Sequence, residues 1–541
     1  MNQNINIAKE FHEITKHSPV TIYFNRHYLD WENKPFPFKI YLNKPKADLP
    51  STFPYPIEDS IECLRKQMNL NPSEQKQIDL KILSQILFFS AGITRKMKLN
   101  DTVYYMRAAS ATGALYPIEI YLICQKIQNL DAGVYHFCPA DFTLTQLRKG
   151  DFRSILFTAT GNNNKIIQAP ITLIFTSIAW RNSWKYQARS YRHWFWDAGV
   201  ILANFLALCN NNLLSSEIIL GYQDELINNL LGLQNQKEAA IALASIESYY
   251  NYNNPEQSNS IQLSPINCET KPLSKYEETV YPDIWKIHKS SNLNSPIEIT
   301  NWTSMKNKKD TNLNKTRKIS YGKINTINKY NIGNLILQRG STRRFSKKPI
   351  TLTQLQNILY LSSISIPFDF ITNEQSLIDI YFIANSVTNL ESGIYYYNKL
   401  ENNIQDLKKG DFREKSGYLC LDQKLFSDAS VVFFLLASMD TILKYLGNRG
   451  YRAVQLEGGI CAGKIYLASY SQGLGASGST FYDDEVTETF LPHSNQKSTI
   501  IAIGIGIPAY VAKPGKIYTN VLNKEDFSKK NLIINNSNNK E

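Results

Sequence analysis

The segment YRAVQLEGG, residues 451–459, has a partner in the same chain, YRHWFWDAG, residues 191–199. Both begin with Tyr-Arg, and both carry an acidic residue at the seventh position and a glycine at the ninth. The two segments are 260 positions apart (451 − 191), and a Lys-Tyr pair stands just upstream of each. This agreement predicts that one structural unit occurs twice.

Four further pairs of short motifs share the spacing of 260: GVY at 133 and GIY at 393, GDFR at 150 and 410, EIY at 119 and DIY at 379, and NQK at 235 and 495. We therefore expect two tandem domains, at residues 76–250 and 331–515. The remaining segments are expected to be an N-terminal arm (1–75), a linker with a docked segment (251–330) and a disordered tail (516–541).

Helical and strand patterns alternate within each copy. Apolar residues at helical spacing predict helices at 80–89, 194–208, 351–361 and 451–470. Short β-branched and apolar runs predict strands at 118–124, 133–137, 171–177, 239–246, 378–384, 429–437 and 499–505. Because some strands return directly as hairpins, the expected fold class is α+β: two domains, each a mixed sheet flanked by helices.

Composition excludes several classes of protein. The 541 residues carry a formal net charge of +12, but the lysines are scattered through Asn-rich loops, so we expect an anionic small ligand rather than nucleic acid. The apolar runs are too short to span a bilayer. The seven cysteines are odd in number and show no metal-ligand spacing, which predicts free thiols, a cytoplasmic protein and no metal site.

The two copies differ in ways that complement each other. Matching residues 85–90 to 357–362 gives a spacing of 272 (357 − 85), so the first copy has 12 extra residues (272 − 260) around the loop at 107–117, and they include its Ala-Leu-Tyr-Pro segment. The second copy alone has an Arg-x-Ser-x-Arg motif and a glycine-rich segment at 473–477. This pattern is expected of a fused pseudo-dimer that retains one of two interface sites, and one chain then suffices as a monomer.

Several motifs resemble the nitroreductase-like flavoprotein superfamily, and within it the SagB-type thiazoline/oxazoline dehydrogenases. The matching segments are RGSTRRF at 339, GALYPIE at 113, the Lys-Tyr pair followed by Tyr-Arg, IHKSSNL at 287 and HEITKH at 12. The family loop usually reads Pro-Ser-Gly-Gly-Ala-Leu-Tyr-Pro, whereas this chain has SATGALYP at 110–117.

The resemblance implies one FMN per chain, held between the two copies. It assigns the phosphate and the ribityl or ring oxygens to Arg339, Ser341 and Arg343, since guanidinium groups bind phosphate oxygens in pairs. The remaining assigned contacts are small residues that lie along the ring or reach across from the first copy: Gly475, Ser477, Ser110, Thr112 and Gly113. Turn geometry alone would also explain these glycines.

Lys185 and Tyr186 are the expected catalytic residues. Oxidation of an azoline to an azole removes a proton from carbon, and a neighbouring ammonium would favour the phenolate that accepts it. The alternative is a Lys-Tyr pair that only packs at a helix. Because the Tyr-Arg motif occurs in both copies, we expect it to be structural.

Three functions remain open. The first is an FMN-dependent dehydrogenase that oxidises azoline rings of a modified peptide, with oxygen reoxidising the flavin and a cyclodehydratase partner implied by the resemblance. The second is an NAD(P)H-dependent nitro- or quinone reductase of the same fold. The third is a non-catalytic scaffold subunit, as the altered loop at 110–112 would allow.

Overall fold

The computed structural model describes residues 2–24, 26–65, 74–99, 102–248, 263–307, 314–315, 330–372 and 375–522. These residues form two halves that share most of their helices and strands in the same order. The described helices of the first half are α1 (Asn6–Ile14), α2 (Pro19–Phe24), α3 (Ser60–Arg65), α4 (Leu80–Ala91), α5 (Arg153–Ala159), α6 (Asn164–Gln168), α7 (Ala179–Tyr186), α8 (Ser190–Asn211) and α9 (Asp224–Leu231). Its strands are β1 (Lys46–Asp48), β2 (Ile93–Leu99), β3 (Thr102–Arg107), β4 (Ile118–Cys124), β5 (Gly133–Cys138), β6 (Thr143–Lys149), β7 (Ile171–Ile178), β8 (Ile218–Ile219) and β9 (Glu238–Ile246).

The second half repeats this series. Its described helices are α10 (Pro282–Ser290), α11 (Pro296–Thr303), α12 (Ile332–Gln338), α13 (Leu352–Ser363), α14 (Arg413–Leu419), α15 (Lys424–Ser427), α16 (Met439–Leu446), α17 (Arg449–Ser471) and α18 (Asp483–Thr489). Its strands are β10 (Asn314–Lys315), β11 (Ile350–Thr351), β12 (Gln375–Ser376), β13 (Asp379–Ala384), β14 (Val387–Thr388), β15 (Gly393–Asn398), β16 (Asn403–Lys409), β17 (Val431–Ala437), β18 (Gly475–Ser479) and β19 (Ser498–Gly506).

The repeated unit begins earlier than the sequence motifs suggested. Helix α10 lies inside the segment predicted to be a linker with a docked piece, and its residue His288 occupies the same place as His12 of α1. Arg452 donates to the carbonyl of His288, just as Arg192 donates to the carbonyl of His12. Each half therefore starts with its own packed helix.

Each half has one large sheet, in the orders β1-β6-β5-β4-β7-β9-β8 and β16-β15-β13-β17-β19-β18. The α+β class and the flanking helices are confirmed. Neighbouring strands within both large sheets run antiparallel. Among the described residues, parallel pairing occurs in the short ladder of β11 with β14 and in two single bridges, Ile218 with Phe368 and Gln223 with Leu293.

The two halves meet where α8 crosses α17. A side chain at Gly199 would place its Cβ 2.5 Å from the carbonyl carbon of Gly459, and a Cβ at Gly459 would lie 2.7 Å from the Cα of Trp196. Trp196 then donates across the crossing to Gln455, at 2.6 Å. The glycine of each repeated motif thus permits the close approach of the two backbones.

The extra length of the first half is a hairpin rather than a longer loop. Strands β2 and β3 form it directly after α4, and the loop at 107–117 follows. The end of the chain packs against the hairpin and the first sheet: Tyr518 forms a bridge with Ile93, and Val521 donates to Ala140. Residues 516–522 are thus ordered, contrary to the prediction, while the rest of the predicted tail lies outside the described residues.

Candidate cofactor site

The segment 339–345 runs from the end of α12 along the edge of the second sheet. Thr342 donates its backbone N–H to the carbonyl of Ala476 at 2.8 Å. Phe345 is buried and forms a bridge with Pro508. Between these anchors Ser341 is half-buried and Arg343 is exposed. The segment is therefore held in an extended form that leaves Arg343 open to solvent.

Two tyrosines one turn apart on α17 join this segment to β18. The hydroxyl of Tyr470 donates to the carbonyl of Gly340 at 3.0 Å. The hydroxyl of Tyr466 accepts the N–H of Gly478 at 2.6 Å and lies 3.5 Å from Oγ of Ser341. The motif predicted to hold a phosphate and the glycine-rich strand therefore lie side by side.

Arg339 reaches from the second half to the first. Its Nε donates to the carbonyl of Ala108 at 2.9 Å, and its Nη2 donates to the carbonyl of Arg107 at 3.2 Å. Its Nη1 is buried and has no hydrogen-bond partner among the described residues. The Arg-x-Ser-x-Arg segment and the loop at 107–117, which the sequence places 232 positions apart (339 − 107), are thus in contact.

The loop at 107–117 is strained and firmly anchored. Ala114 and Tyr116 have φ values of 55° and 50°, which non-glycine residues rarely adopt. The hydroxyl of Tyr116 accepts the N–H of Arg107 at 3.1 Å. The N–H and the hydroxyl of Thr112 both donate to Oδ1 of Asp197, each at 2.8 Å. Strain that surrounding contacts impose in this way often marks a binding or catalytic loop.

Tyr186 lies directly on the predicted ring-facing glycine. A Cβ at Gly113, whose φ is 62°, would be 2.6 Å from the hydroxyl of Tyr186. Lys185 is exposed, and its Nζ lies 5.3 Å from the centre of the Tyr186 ring. The structure thus brings together Tyr186 and the loop that carries Thr112 and Gly113.

The electrostatics of Tyr186 argue against the predicted role as a base. Burial, and then the carboxyl of Asp197, raise the pKa of Tyr186 well above its usual value. The phenolate is therefore disfavoured, chiefly because burial removes it from water and also because the carboxyl of Asp197 repels it. At neutral pH Tyr186 is a hydrogen-bond donor.

The two Lys-Tyr pairs are not structural equivalents. Helix α7 ends at Tyr186 and α16 ends at Leu446, and each helix is followed by a residue with positive φ, Gln187 and Gly447. The last residues of the two helices are thus 260 positions apart (446 − 186), whereas the tyrosines of the two Lys-Tyr pairs are 259 apart (445 − 186). Tyr186 is consequently found at this position in one half alone.

The predicted ring contacts at Gly475 and Ser477 have other partners. A Cβ at Gly475 would lie 2.1 Å from Oγ1 of Thr342, so packing alone requires glycine there. Ser477 is buried and pairs with Gly504 within the sheet. Gly478 is the exposed glycine of this strand. A contact from Gly475 or Ser477 to a ring remains a prediction.

Asp197 is the site residue that sequence reasoning missed. The sequence suggested that the arginine of the repeated motif pairs with backbone or with an acid inside the fold, and Arg192 does both, through Asp483 of the other half and the carbonyl of His12. Asp197 lines a cavity together with Ser110, which is one of the predicted contacts, and Tyr116. Burial raises its pKa to about 7, although donors from Thr112 and Asn182 oppose the rise. The sequence showed that Asp197 belongs to the repeated motif, but it did not show that Thr112 is its partner.

The described residues contain neither a metal-binding cluster nor a membrane-spanning helix. No group of three or more His, Cys, Asp or Glu side chains in the described part of the chain could hold a metal ion. None of the described helices has the length and apolar character needed to cross a membrane.

The fold, the duplication and this interface define a nitroreductase-type protein. The chain belongs to the nitroreductase family, whose model matches residues 73–245 and 336–507. A protein of Methanocaldococcus jannaschii, provisionally named a nitroreductase, is 26% identical over 174 residues, which are 30% of this chain and 85% of that protein.

Solved structures agree with this fold. A protein of Anabaena variabilis, also provisionally named a nitroreductase, matches with a TM-score of 0.71 and 24% identity over 93% of this chain and 99% of that one. The E. coli microcin synthetase McbBCD complex matches with a TM-score of 0.30 and 18% identity over 46% of this chain and 93% of that one, which supports no conclusion.

Proposed function

We propose that this protein is an FMN-dependent oxidoreductase that binds one FMN between its two halves. The observation that carries the proposal is the contact of Arg339 with the carbonyls of Arg107 and Ala108. It joins the second half's phosphate-type motif to the first half's strained loop, which is the arrangement that a cofactor shared by two half-sites requires.

The donor set suits an FMN phosphate. Arg339 has a buried Nη1 without a partner, and Arg343 and Ser341 stand next to it in the chain with side chains at least partly exposed. A Cβ at Gly340 would meet no atom closer than 3.6 Å, so the backbone there is open to a ligand. Charged and hydroxyl donors of this kind bind phosphate strongly. FMN, when bound, would supply hydride transfer.

Our finer proposal is a SagB-type dehydrogenase that oxidises azoline rings of a modified peptide. It is supported by the GALYPIE loop and by Tyr186, whose hydroxyl lies on Gly113. In this proposal Tyr186 donates a hydrogen bond to the ring nitrogen, and it does not act as the base. The cyclodehydratase partner is implied by the same resemblance. The cytoplasmic location is inferred from the odd number of cysteines.

The second candidate is an NAD(P)H-dependent nitro- or quinone reductase. The raised pKa of Tyr186 favours it, because a protonated phenol can stabilise negative charge that develops on a nitro or quinone oxygen. Lys185 would then contribute charge at the mouth of the site.

A spectrum and two reduction experiments test these proposals. The purified protein should be yellow, with one FMN per chain, and Arg343→Ala should lose most of that colour. Anaerobic reduction of the flavin by an azoline-containing peptide, but not by NAD(P)H, would support the dehydrogenase; the reverse would support the reductase. A colourless protein that added FMN does not reconstitute would reject both and favour the scaffold role.

A further inference from the structure

Asp197 is a buried carboxyl group surrounded by neutral donors. Its side chain accepts from N and Oγ1 of Thr112 at 2.8 Å and lies 3.4 Å from Nδ2 of Asn182. No ion pair to Asp197 occurs within the described residues. A buried carboxylate without a cation is costly, so such groups are usually neutralised by a proton or kept for function.

The equivalent acid of the second half has a different environment. Glu457 accepts from the hydroxyl of Ser376 and, at 2.9 Å, from the N–H of Leu377. Lys399 donates to the same Ser376 hydroxyl at 2.9 Å, and Lys464 lies two turns further along α17. Both lysines oppose the rise in the pKa of Glu457 that burial causes.

These lysines have no charged counterpart near Asp197. The positions 260 residues earlier are Pro139 and Asn204. The repeated acid therefore anchors a loop in both halves, but buried cations accompany it in only one. Anchoring of a loop explains why both halves have a buried acid at this position. It does not explain why Asp197, unlike Glu457, has no lysine at the corresponding positions.

None of the other described groups that face Asp197 forms an ion pair with it. Tyr186 of α7 and Tyr116 of the loop both have a pKa that is raised by burial and by Asp197. Arg107 lines the same cavity, but it donates to the carbonyl of Pro37 at 2.7 Å. His193, one turn earlier on α8, has a pKa well below its usual value because of burial and is neutral.

We propose that Asp197 and Thr112 form a proton relay that serves the site between the two halves. The proposal rests on the proposed function, because the relay would deliver the proton to a nitrogen or oxygen atom of the flavin or substrate. Asp197 is a positioning and proton-holding residue in this scheme. The group closest to the ligand is the Thr112 hydroxyl.

The relay moves one proton and no electrons. When Asp197 is ionised, the Thr112 hydroxyl donates to Oδ1, as the 2.8 Å contact indicates. When Asp197 is protonated, its O–H donates to Oγ1, and the Thr112 hydroxyl transfers its own proton to the ligand. Asp197 is left as a carboxylate. Proton removal from a ligand follows the same path in reverse.

Infrared difference spectroscopy of the full chain tests the relay without relying on turnover. The C=O band of a protonated carboxyl should titrate near pH 7 in the wild type and be missing in Asp197→Asn. Thr112→Val removes one donor to the carboxylate, so it should move the midpoint upward. Glu457→Gln, the matched change in the second half, should retain the band.

The pH profile of turnover supplies the second readout. The wild type should show a limb near pH 7 that Asp197→Asn flattens, and Thr112→Val should lower turnover per bound FMN at least tenfold. Absence of a titrating band between pH 6 and 8, or an unchanged profile in Thr112→Val, would overturn the relay. A chain that binds no FMN would reject the proposed function, and the Thr112→Val midpoint would still test the relay's hydrogen bond.

Discussion

Arg192 of the first half and Asp483 of the second half form a buried ion pair, with Nη1 and Oδ1 2.7 Å apart. A second pair with the roles of the halves exchanged joins Arg452 to Asp224 at 2.5 Å. The Tyr-Arg motifs that reveal the duplication therefore hold the two halves together. Since the site lies between the halves, these pairs also fix its geometry.

Removing one member of this pair should destabilise the whole molecule. Asp483→Asn leaves Arg192 buried without its counter-charge, and such a change costs about 3–5 kcal/mol. Urea unfolding measures this loss. Glu10→Gln, which breaks the exposed pair of Glu10 with Lys286, is the matched control and should leave the free energy of unfolding unchanged. Similar losses in the two variants would contradict the role given to Asp483.

The same pair predicts how stability depends on pH. Burial alone would raise the pKa of Asp483, but Arg189 and Arg192 lower it well below its usual value. A depressed pKa contributes stability above the unfolded-state value, about 4, and that stability is lost as the pH falls through the folded-state value. The free energy of unfolding should therefore fall below about pH 4. Urea titrations should show a shallower fall in Asp483→Asn, and an unchanged slope would refute this origin.

The helix crossing should tolerate no side chain at Gly459. A Cβ there would lie 2.7 Å from backbone atoms of Trp196, so α8 and α17 would have to move apart. We expect Gly459→Ala to cost about 1–3 kcal/mol, as overpacking does, and to reduce FMN binding because the halves separate. Gly478→Ala is the control for stability, since its Cβ would meet no atom closer than 3.5 Å. Equal unfolding midpoints in the two variants would count against this packing argument.

Much of the fold could be predicted because duplication records structure directly in the sequence. The common spacing of 260 located the core helices and sheets of both halves, and hydrophobic periodicity gave strand β4 at its observed bounds. The helix predicted at 351–361 is α13, and Thr351 caps it through a capping box with Gln354. Local signals of this kind need only a few neighbouring residues.

The site was harder to predict because its contacts join distant parts of the chain. Neither the partner of Asp197 nor the one of Arg192 can be read from spacing, since both depend on how the halves dock. The Lys-Tyr pairs are 259 residues apart, one fewer than the repeat spacing of 260. The ends of the two helices, at Tyr186 and Leu446, show that the structural equivalent of Tyr186 is therefore Leu446 and not Tyr445. The hairpin of β2 with β3 was not predicted, because three basic residues in the seven of β2 obscure its apolar pattern.

Arg95 should control FMN affinity without touching the cofactor. Its guanidinium donates to the carbonyls of Leu337, Gln338 and Arg339, at the end of α12. These bonds hold the start of the Arg-x-Ser-x-Arg segment against the first half. Arg95→Ala should raise the Kd for FMN about tenfold, equivalent to about 1.4 kcal/mol, which fluorescence titration of the apoprotein would measure. The control is Lys96→Ala, a change at the adjacent residue, which should bind FMN like the wild type. Equal FMN affinities in the two variants would refute the role given to the Arg95 hydrogen bonds.

The contact of Gly113 with Tyr186 predicts a specific double-mutant result. Gly113→Ala places a Cβ 2.6 Å from the Tyr186 hydroxyl and also forces alanine into a φ of 62°. Tyr186→Phe removes the clashing oxygen but not the backbone strain, so adding it to Gly113→Ala should recover part of the lost FMN content. Thermal unfolding with and without FMN would give the coupling energy.

Turnover measurements on the same variants distinguish the packing of Tyr186 on Gly113 from its proposed hydrogen bond to the substrate. If the phenol donates a hydrogen bond to the substrate, Tyr186→Phe should bind FMN normally yet turn over at least tenfold more slowly at every pH, because a group with a raised pKa does not titrate in the neutral range. A loss confined to high pH would instead point to ionisation of the phenol. Additive effects of the two substitutions on FMN content would show that the hydroxyl and Gly113 are not in contact in the working enzyme.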